Sequence, residues 1–221
     1  MQIIEKESMN DEQTWDILRQ VIRGLNYLHC NNIIHFDLKP SNLLVDSHGT
    51  VKLSDLGISR IICDGDLLTE HIGTPAFMAP EIIASEESFD GKLADLYSVG
   101  ATAYYVRFRE PAFKGRSKHD LYQRILHDPV QFPAATNANA NANANVNAAI
   151  GLRKLIQGLM AKTPSVRLTM KQLIENPWLQ TRPGGENQRV ERDFYHNERT
   201  CNGNIKVSNI DTLHSISSIA S

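Results

Sequence analysis

Four polar side chains that could take part in chemistry lie close together in the sequence. Asp37, Lys39 and Asn42 fall within residues 33–44, and Asp55 follows shortly after. Apolar runs flank them, and buried Asp and Lys are rare in proteins unless they are paired or bind a ligand. Carboxylate and amide oxygens bind Mg²⁺, a carboxylate can accept a hydroxyl proton, and an ammonium group can neutralise phosphate. This window therefore holds the residue types needed to bind a magnesium nucleotide and to activate a hydroxyl group.

Two short β-branched runs are expected to position part of this set. Residues 43–45 and 51–53 flank residues 46–49, a turn sequence that ends in a glycine, where positive φ is tolerated. The pattern predicts a β-hairpin with Asn42 and Asp55 at its opposite ends. Closing the hairpin brings these two residues together, as two ligands of one metal require.

The rest of the pattern is mainly helical. Asn10 with Gln13 three residues later forms a capping-box pattern, and apolar spacing predicts a helix that ends near Cys30. Its inward stripe consists of Ile17, Leu18, Val21, Ile22, Leu25 and Leu28. Further helices are predicted over residues 93–108, 117–126, 149–161 and 170–175. The third of these is predicted to face inward with Ile150, Leu152, Leu155, Ile156 and Leu159. Residues 58–71 are predicted to form a loop, and residues 73–81 an ordered but irregular segment.

Composition limits the class of protein. With 41% hydrophobic and 22% charged residues, the chain is typical of a soluble globular protein. A net charge of -2 gives no general case for binding nucleic acid or an anionic membrane. We find no apolar stretch long enough for a membrane span and no apolar run typical of a signal peptide. Cys30, Cys63 and Cys201 show no metal or disulfide spacing, which favours a reducing, cytoplasmic location.

The sequence divides into three parts. Residues 1–9 are predicted to be a short frayed lead-in, residues 10–179 a folded domain, and residues 180–221 a linker and tail that are largely disordered. Within the domain, residues 137–147 alternate Asn and Ala and have no hydrophobic face. Such a low-complexity insert cannot bury enough apolar area to offset its ordering entropy, so we expect a disordered surface loop.

Several stretches resemble the motifs of eukaryotic protein kinases. Residues 35–42, with the sequence His-Phe-Asp-Leu-Lys-Pro-Ser-Asn, resemble the catalytic loop of that family. Residues 55–57 resemble the metal-binding triplet, and residues 79–81 the end of the activation segment. Residues 95–100 resemble the start of the buried central helix of the large lobe, and Arg167 matches the Arg that pairs with the activation-segment Glu. The resemblance implies a mainly α, protein-kinase-like large lobe with short β-hairpins.

The resemblance also implies roles for the four polar residues. Asp37 would accept the hydroxyl proton of the substrate, and Lys39 would bind and stabilise the transferring phosphoryl group. Asn42 and Asp55 would hold Mg²⁺ against the phosphates of ATP. ATP and Mg²⁺ are thus the implied cofactors.

Further residues receive roles from the same resemblance. Leu44 would lie under the adenine ring. Thr74, counted with Asp37 and Lys39 among the catalytic residues, would face the substrate residue that follows the target site. Thr74 together with Lys39 favours Ser/Thr rather than Tyr specificity. Asp95 is expected to bind backbone amides of the catalytic loop, whereas His35 is expected to be a packed, hydrogen-bonded histidine. Glu81 and Arg167 are expected to form a structural rather than catalytic pair.

The closest subfamily resemblance is to the calcium/calmodulin-dependent protein kinase kinases and related upstream kinases of fungi. It depends on residues 39–45, residues 73–81, a Pro-Trp-Leu ending at Leu179 and a tail rich in Ser and Ile. It implies a protein substrate, of which another kinase is one candidate. Calmodulin is implied as a partner by resemblance alone, since the tail shows no basic amphipathic helix.

The sequence departs from the family pattern in two places. Phe36 replaces the Arg that normally binds a phosphate on the activation loop, and Phe cannot make that charge-assisted bond. We therefore expect activity that does not require loop phosphorylation. The chain also contains no Gly-x-Gly-x-x-Gly and no strand Lys of the Val-Ala-Ile-Lys type, so we expect the small β lobe to be absent.

Three functions remain open at this point. The chain could represent part of a Ser/Thr protein kinase, which the retention of all four polar residues favours. It could be a pseudokinase or scaffold module, which Phe36 and the missing lobe favour. It could also be an inactive truncated remnant.

Overall fold

The computed structural model describes residues 2–3, 9–62, 68–69, 71–84, 88–133 and 144–183. These residues form helices and a few short strands. The helices are α1 (Asp11–Cys30), α2 (Pro80–Ile83), α3 (Gly91–Phe108), α4 (Lys118–His127), α5 (Ala144–Leu159), α6 (Met170–Ile174) and α7 (Pro177–Gln180). The strands are β1 (Gln2–Ile3), β2 (Ile33–Ile34), β3 (Leu43–Val45), β4 (Val51–Leu53) and β5 (Arg60–Ile61). Short 3₁₀ turns cover Pro40–Asn42, Pro75–Phe77 and Pro164–Val166. This helix-rich composition agrees with the predicted mainly α fold.

Helix α1 begins with the predicted capping box. The Asn10 side chain accepts from the Gln13 backbone N–H at 2.8 Å, and the Gln13 side chain accepts from the Asn10 N–H at 3.0 Å. Both bonds satisfy donors that a helix start leaves unpaired. The predicted stripe is buried in the core: Ile17, Leu18, Val21, Ile22, Leu25 and Leu28. The prediction for this helix is confirmed.

The predicted hairpin is also confirmed. β3 and β4 pair antiparallel with Leu43 opposite Leu53 and Val45 opposite Val51. The turn is stabilised by Asp46, which accepts two backbone N–H bonds, and it ends at Gly49 with φ 80°. At the open end, the Ser54 N–H donates to the Asn42 carbonyl at 2.9 Å. The backbone of Asn42 therefore lies beside the residue that precedes Asp55.

Three strands, β1, β2 and β5, lie where none was predicted. β1 pairs antiparallel with β3, with Gln2 opposite Val45, so this part of the lead-in is not frayed. β5 pairs antiparallel with β2, with Ile33 opposite Ile61, inside the region predicted to be a loop. Each strand has two residues, too few for alternation to be recognised in a sequence. β1 covers the free edge of β3 in the predicted hairpin, and β5 pairs with β2, which was not predicted either.

Some helix boundaries also differ from the predictions. α2 begins at Pro80, inside the segment predicted to be irregular, because Pro is favoured at the first helical position. α5 begins at Ala144, so the end of the Asn and Ala insert is helical rather than disordered. The rest of that insert, and residues 184–221 of the linker and tail predicted over 180–221, lie outside the described residues.

The predicted inward face of α5 is correct except at Ile150. Leu152, Leu155, Ile156 and Leu159 are buried, whereas Ile150 is 44% exposed. Ile150 precedes Leu152 by two positions, and side chains two apart point to different sides of a helix.

Helix α3 forms the centre of the fold. It is capped by Asp90, whose side chain accepts from the backbone N–H groups of Lys92 and Leu93. Most of its residues are buried, and it packs against α1 and α5. This confirms the predicted buried helix, which begins two positions earlier than expected. Because α3 is surrounded, its few polar side chains must find partners inside the protein.

Two further observations concern composition. Among the residues described by the structure, we find no helix long and apolar enough to span a membrane. Cys30 is disulfide-bonded, so the prediction of unpaired cysteines is wrong. Sequence spacing carried no sign of this bond, and the argument for a reducing compartment loses its support.

Candidate active site

Two polar residues of α3, Asp95 and Thr102, hold the loop that contains Asp37. Asp95 accepts from the backbone N–H of His35 at 2.9 Å and from that of Phe36 at 2.8 Å. Thr102 donates to the Leu38 carbonyl at 3.2 Å. These bonds lie on both sides of Asp37, and the predicted role of Asp95 is confirmed. The loop that contains Asp37 is thus attached to a rigid, buried helix.

A buried histidine completes the anchor, and sequence analysis missed it. His29 Nε2 lies 2.9 Å from Asp95 Oδ2, although the two residues are 66 positions apart. Asp95 thereby gains a third partner, and its side chain is fully buried. The signal in the sequence was weak: one histidine in the last turn of an amphipathic helix.

Asp37 receives hydrogen bonds at both carboxylate oxygens. Thr74 donates to Oδ1 from its hydroxyl at 2.6 Å and from its backbone N–H at 3.1 Å. Lys39 Nζ lies 2.6 Å from Oδ2, and Asn42 Nδ2 donates to the same oxygen at 3.2 Å. A carboxylate offers about four acceptor positions, so these donors fill them. The structure therefore brings together four of the predicted site residues.

The Thr74 hydroxyl connects Asp37 to Lys39. It donates to Asp37 Oδ1 and accepts from Lys39 Nζ at 2.9 Å. The donor and the acceptor function of the hydroxyl are thus both used, and together they fix the orientation of the Thr74 side chain. Thr74 thus contacts both Asp37 and Lys39 at the centre of the site.

These donors determine the protonation of Asp37. Burial alone would raise its pKa, but the hydrogen bonds from Lys39, Thr74 and Asn42 outweigh burial and lower the pKa below its usual value. Asp37 is therefore ionised at neutral pH. A carboxylate with a low pKa is a weak proton acceptor, so its main contribution is to orient a hydroxyl group.

His35 supports the loop from inside, as predicted. Its ring is fully buried, and Nδ1 accepts from the Asp37 backbone N–H at 3.3 Å. Burial lowers the pKa of His35, although Asp95 and the Ser54 carbonyl act in the opposite direction. The ring is thus neutral at physiological pH and holds the backbone of Asp37 without exchanging protons.

Asn42 and Asp55 supply oxygen donors at the end of the hairpin. Asn42 is buried, and its amide nitrogen donates to the Asp37 carbonyl at 2.8 Å, which leaves the amide oxygen as an acceptor. Asp55 is exposed and has φ 64°, a left-handed conformation that is uncommon outside glycine and typical of functional sites. One carboxylate and one amide oxygen suit Mg²⁺, which takes its remaining ligands from water and phosphate. The described residues contain no group of three or more His, Cys, Asp or Glu that could hold a metal alone.

Leu44 lies on β3, between two neighbouring strands. It pairs with Lys52 of β4 on one side and with Ile3 of β1 on the other, and its side chain is half-buried. It thus belongs to the same hairpin as Asn42. Its contact with adenine stays a prediction.

The segment around Thr74 is also attached to α3 and to the catalytic loop. Ser98 donates to the Phe77 carbonyl at 2.8 Å, a role that sequence analysis missed. Gly73 has φ 118°, and a Cβ there would lie 2.7 Å from the Phe36 carbonyl. Only glycine fits this approach, which brings Thr74 to Asp37.

Glu81 and Arg167 form the predicted structural pair. Their side chains make two parallel bonds of 2.6 and 2.8 Å, and both are almost completely buried. Arg167 also donates to the carbonyls of Leu93 and Ala161. The pair thus connects α2 to the start of α3 and to the end of α5, away from any contact with Asp37 among the described bonds.

Comparison with known proteins agrees with this site. The protein kinase domain family matches residues 1–179. The chain is 39% identical to the serine/threonine-protein kinase GRIK1 of Arabidopsis thaliana, over 73% of this chain and 38% of the relative. It is 38% identical to GRIK2 of the same plant, over 73% of the chain and 37% of the relative. It is 31% identical to the serine/threonine-protein kinase TOS3 of Saccharomyces cerevisiae, over 76% of the chain and 32% of the relative.

The extent of these matches defines what they show. The chain spans well under half the length of the curated relatives that it matches. The family match, in contrast, covers most of the chain and includes every residue of the Asp37 cluster. The chain therefore belongs to the protein kinase family.

Proposed function

We propose that this chain transfers the γ-phosphate of ATP to serine or threonine hydroxyl groups of a protein substrate. The observation that carries the proposal is the convergence of Lys39, Thr74 and Asn42 on the carboxylate of Asp37. A buried carboxylate with four donors is orienting machinery for a hydroxyl group. Its relatives of the serine/threonine-protein kinase type support the same class of activity.

The geometry suggests how the residues share the work. Lys39 holds Asp37 Oδ2 and the Thr74 hydroxyl together. When Lys39 turns to the transferring phosphoryl group, one acceptor position of Asp37 becomes available to the substrate hydroxyl. Asp37 then orients that oxygen for attack and accepts its proton. Most of the catalysis is thus positioning and charge stabilisation.

Mg²⁺ would be held by Asn42 and Asp55. The donor set fits this ion, because Mg²⁺ is bound by one or two protein oxygens together with the phosphates. When bound, Mg²⁺ neutralises charge on the β- and γ-phosphates. Leu44, on the same hairpin, would provide apolar contact to adenine.

The 221 residues contain no glycine-rich phosphate loop and no strand Lys. We therefore propose that they represent part of a kinase domain, whose remaining nucleotide-binding elements belong to a longer native polypeptide. The relatives, of which this chain matches 37–38%, support that proposal. The same absence, together with Phe36, favours a second candidate: a pseudokinase module that binds partners without transferring phosphate.

The proposed cellular role is that of an upstream kinase in a calmodulin-kinase-type cascade, located in the cytoplasm. Residues 39–45 and residues 73–81 support this subfamily resemblance. Its protein substrate would then be another kinase. Binding of calmodulin to the native protein, and its localisation as a fluorescent fusion, are the direct tests.

One experiment tests the activity and the metal assignment together. The native polypeptide is identified by intact mass, and its phosphoryl transfer to a Ser/Thr peptide library is measured with wild type and Asp37→Asn. We expect Asp37→Asn to lose on the order of 10²–10³ in rate. In the same protein, Asp55→Asn should abolish the thermal shift produced by magnesium ATP.

The control is Asp128→Asn, which removes an exposed carboxylate beyond α4 and should keep the full thermal shift. An unchanged shift in Asp55→Asn would remove the metal assignment. A native protein that binds magnesium ATP but phosphorylates nothing would favour the pseudokinase module.

A further inference from the structure

Phe36 stands beside the catalytic Asp37 but makes an aromatic contact instead of a charged one. Its ring is 5% exposed and meets the edge of Phe89 at 6.2 Å between ring centres, with the planes at 83°. We propose that Phe36 and Phe89 form an apolar clasp that holds Leu68, and with it the segment that leads to Thr74, in place of a phosphate contact. The clasp is a positioning device, and its role in activity rests on the proposed function.

Phe89 contacts the segment through its backbone as well as its ring. Its N–H donates to the Leu68 carbonyl at 3.2 Å, in an isolated antiparallel bridge. The Leu68 side chain lies against the start of α3, because a Cβ on Gly91 would be 2.7 Å from Leu68 and 3.0 Å from Ile34. Leu68 and Ile34 of β2 thus both lie against the start of α3, and Leu68 is bonded to the backbone of Phe89.

The segment is held on its other side by the same loop. Gly73 lies against the Phe36 carbonyl, and Thr74 bonds to Asp37. Phe36 itself is fixed by Asp95 and has φ 66°, a strained conformation that the surrounding contacts must maintain. Residues on both sides, Leu68 and Gly73, therefore depend on the position of Phe36.

The chemistry of this contact excludes a phosphate at the same place. A phenyl ring provides no donor for phosphate oxygens, and a phosphate next to it would be desolvated without a counter-charge. Apolar contacts, in contrast, need no modification to form. The clasp therefore gives a structural reason for activity without phosphorylation of the loop.

Amide hydrogen exchange tests the clasp directly, because the N–H of residue 89 is bonded to Leu68. In the full native protein, Phe89→Ala should increase the exchange of the residue 89 amide about tenfold, equivalent to about 1.4 kcal/mol. The exchange of the Ser54 amide, which is bonded to Asn42 in the hairpin, should stay unchanged. Phe132→Ala is the matched control, since Phe132 is a half-buried aromatic that packs on Tyr104 and Phe108.

A second variant keeps the test decisive if Phe89→Ala does not fold. Phe89→Leu retains apolar bulk but loses the ring edge, and we expect its residue 89 amide to exchange about threefold faster. Unchanged protection of this amide in the folded variants would overturn the clasp.

Activity provides the second measurement. Phe89→Ala should raise KM for a peptide substrate about tenfold and leave KM for ATP unchanged, because the clasp positions the peptide-facing segment. Phosphatase treatment should leave wild-type activity within twofold, and a loss of tenfold or more would overturn the proposal. A native protein without any phosphoryl transfer would contradict the proposed function, while the exchange of the residue 89 amide would still decide whether the clasp exists.

Discussion

Two of the ion pairs in this molecule, Arg167 with Glu81 and Lys39 with Asp37, lie at the centre of polar clusters that differ in their exposure to water. The side chains of Arg167 and Glu81 are 0% and 1% exposed, whereas those of Lys39 and Asp37 are 23% and 11% exposed. Both clusters contain a carboxylate and a cation in direct contact. Their surroundings differ: the first is sealed inside the fold, and the second is open enough for a ligand to reach it.

The number and direction of the hydrogen bonds explain the difference. In the sealed pair, Arg167 distributes its donors over Glu81 and two backbone carbonyls, so it connects separate parts of the chain. In the half-open cluster, Lys39, Thr74 and Asn42 each donate to the carboxylate of Asp37. A ligand can replace one such donor without moving the backbone. Convergence with access is thus a sign of function, and distribution without access is a sign of structure.

The largest effect is expected where a sealed charge loses its partner. Arg167→Met should lower the free energy of unfolding by about 3–5 kcal/mol, because Glu81 is left buried and unpaired. Urea denaturation followed by circular dichroism measures this loss. The double variant Glu81→Leu with Arg167→Met should recover much of it, since apolar replacement of a buried ion pair is often neutral. Equal losses in the single and double variants would show that packing, rather than charge, dominates here.

A smaller effect, and one on rate rather than stability, is expected in the half-open cluster. Thr74→Val removes the hydroxyl between Lys39 and Asp37 and should lower kcat about 10- to 100-fold, the value of a hydrogen bond to a charged group. Its urea midpoint should change little, because Thr74 is half-buried and solvent can reach the site. Thr74→Ser keeps the hydroxyl and should restore most of the rate. A large loss of stability in Thr74→Val would contradict this distinction, because Thr74 would then stabilise the fold as the Arg167–Glu81 pair does.

These two clusters were not equally visible in the sequence. The hairpin could be predicted from two β-branched runs around a turn sequence, α1 from its apolar period and capping box, and α3 from its long apolar run. Glu81 and Arg167 could be paired only through family resemblance, since 86 residues separate them. Resemblance also pointed to Asp37, Lys39 and Asn42, which lie in one short loop.

The remaining contacts depend on tertiary structure that no local pattern encodes. The bond between Thr74 and Asp37 spans 37 residues and exists because Gly73 allows a close approach. His29 and Thr102 appear as ordinary members of helices until α3 is packed against its neighbours. The strands β1 and β5 are equally hidden, because each is defined by its partner rather than by its own two residues.

Lys162, a half-buried cation outside both clusters, gives the smallest expected effect. Lys162 donates to the Ile125 carbonyl and lies 4.0 Å from the centre of the Phe113 ring, so it has neutral partners where Arg167 has a carboxylate. Burial lowers the pKa of Lys162 to about 8 from its usual 10.5, although Asp128 acts in the opposite direction. The ring and the carbonyl favour the charged amine, but desolvation outweighs them.

The sign of the resulting pH dependence follows from linkage. Between about pH 8 and 10.5 the unfolded chain keeps a proton on Lys162 that the folded chain has released, so this residue makes stability increase with pH. Across this interval, the free energy of unfolding of the wild type, measured in urea, should therefore rise relative to that of Lys162→Met. Below pH 8 the difference between the two proteins should stay constant. Lys171→Met, which removes an exposed lysine, should keep the wild-type slope. A constant difference in the free energy of unfolding between wild type and Lys162→Met up to pH 10.5 would mean that the ring and the carbonyl stabilise the charged amine as well as a carboxylate does. Access to water would then be the property that separates the two clusters.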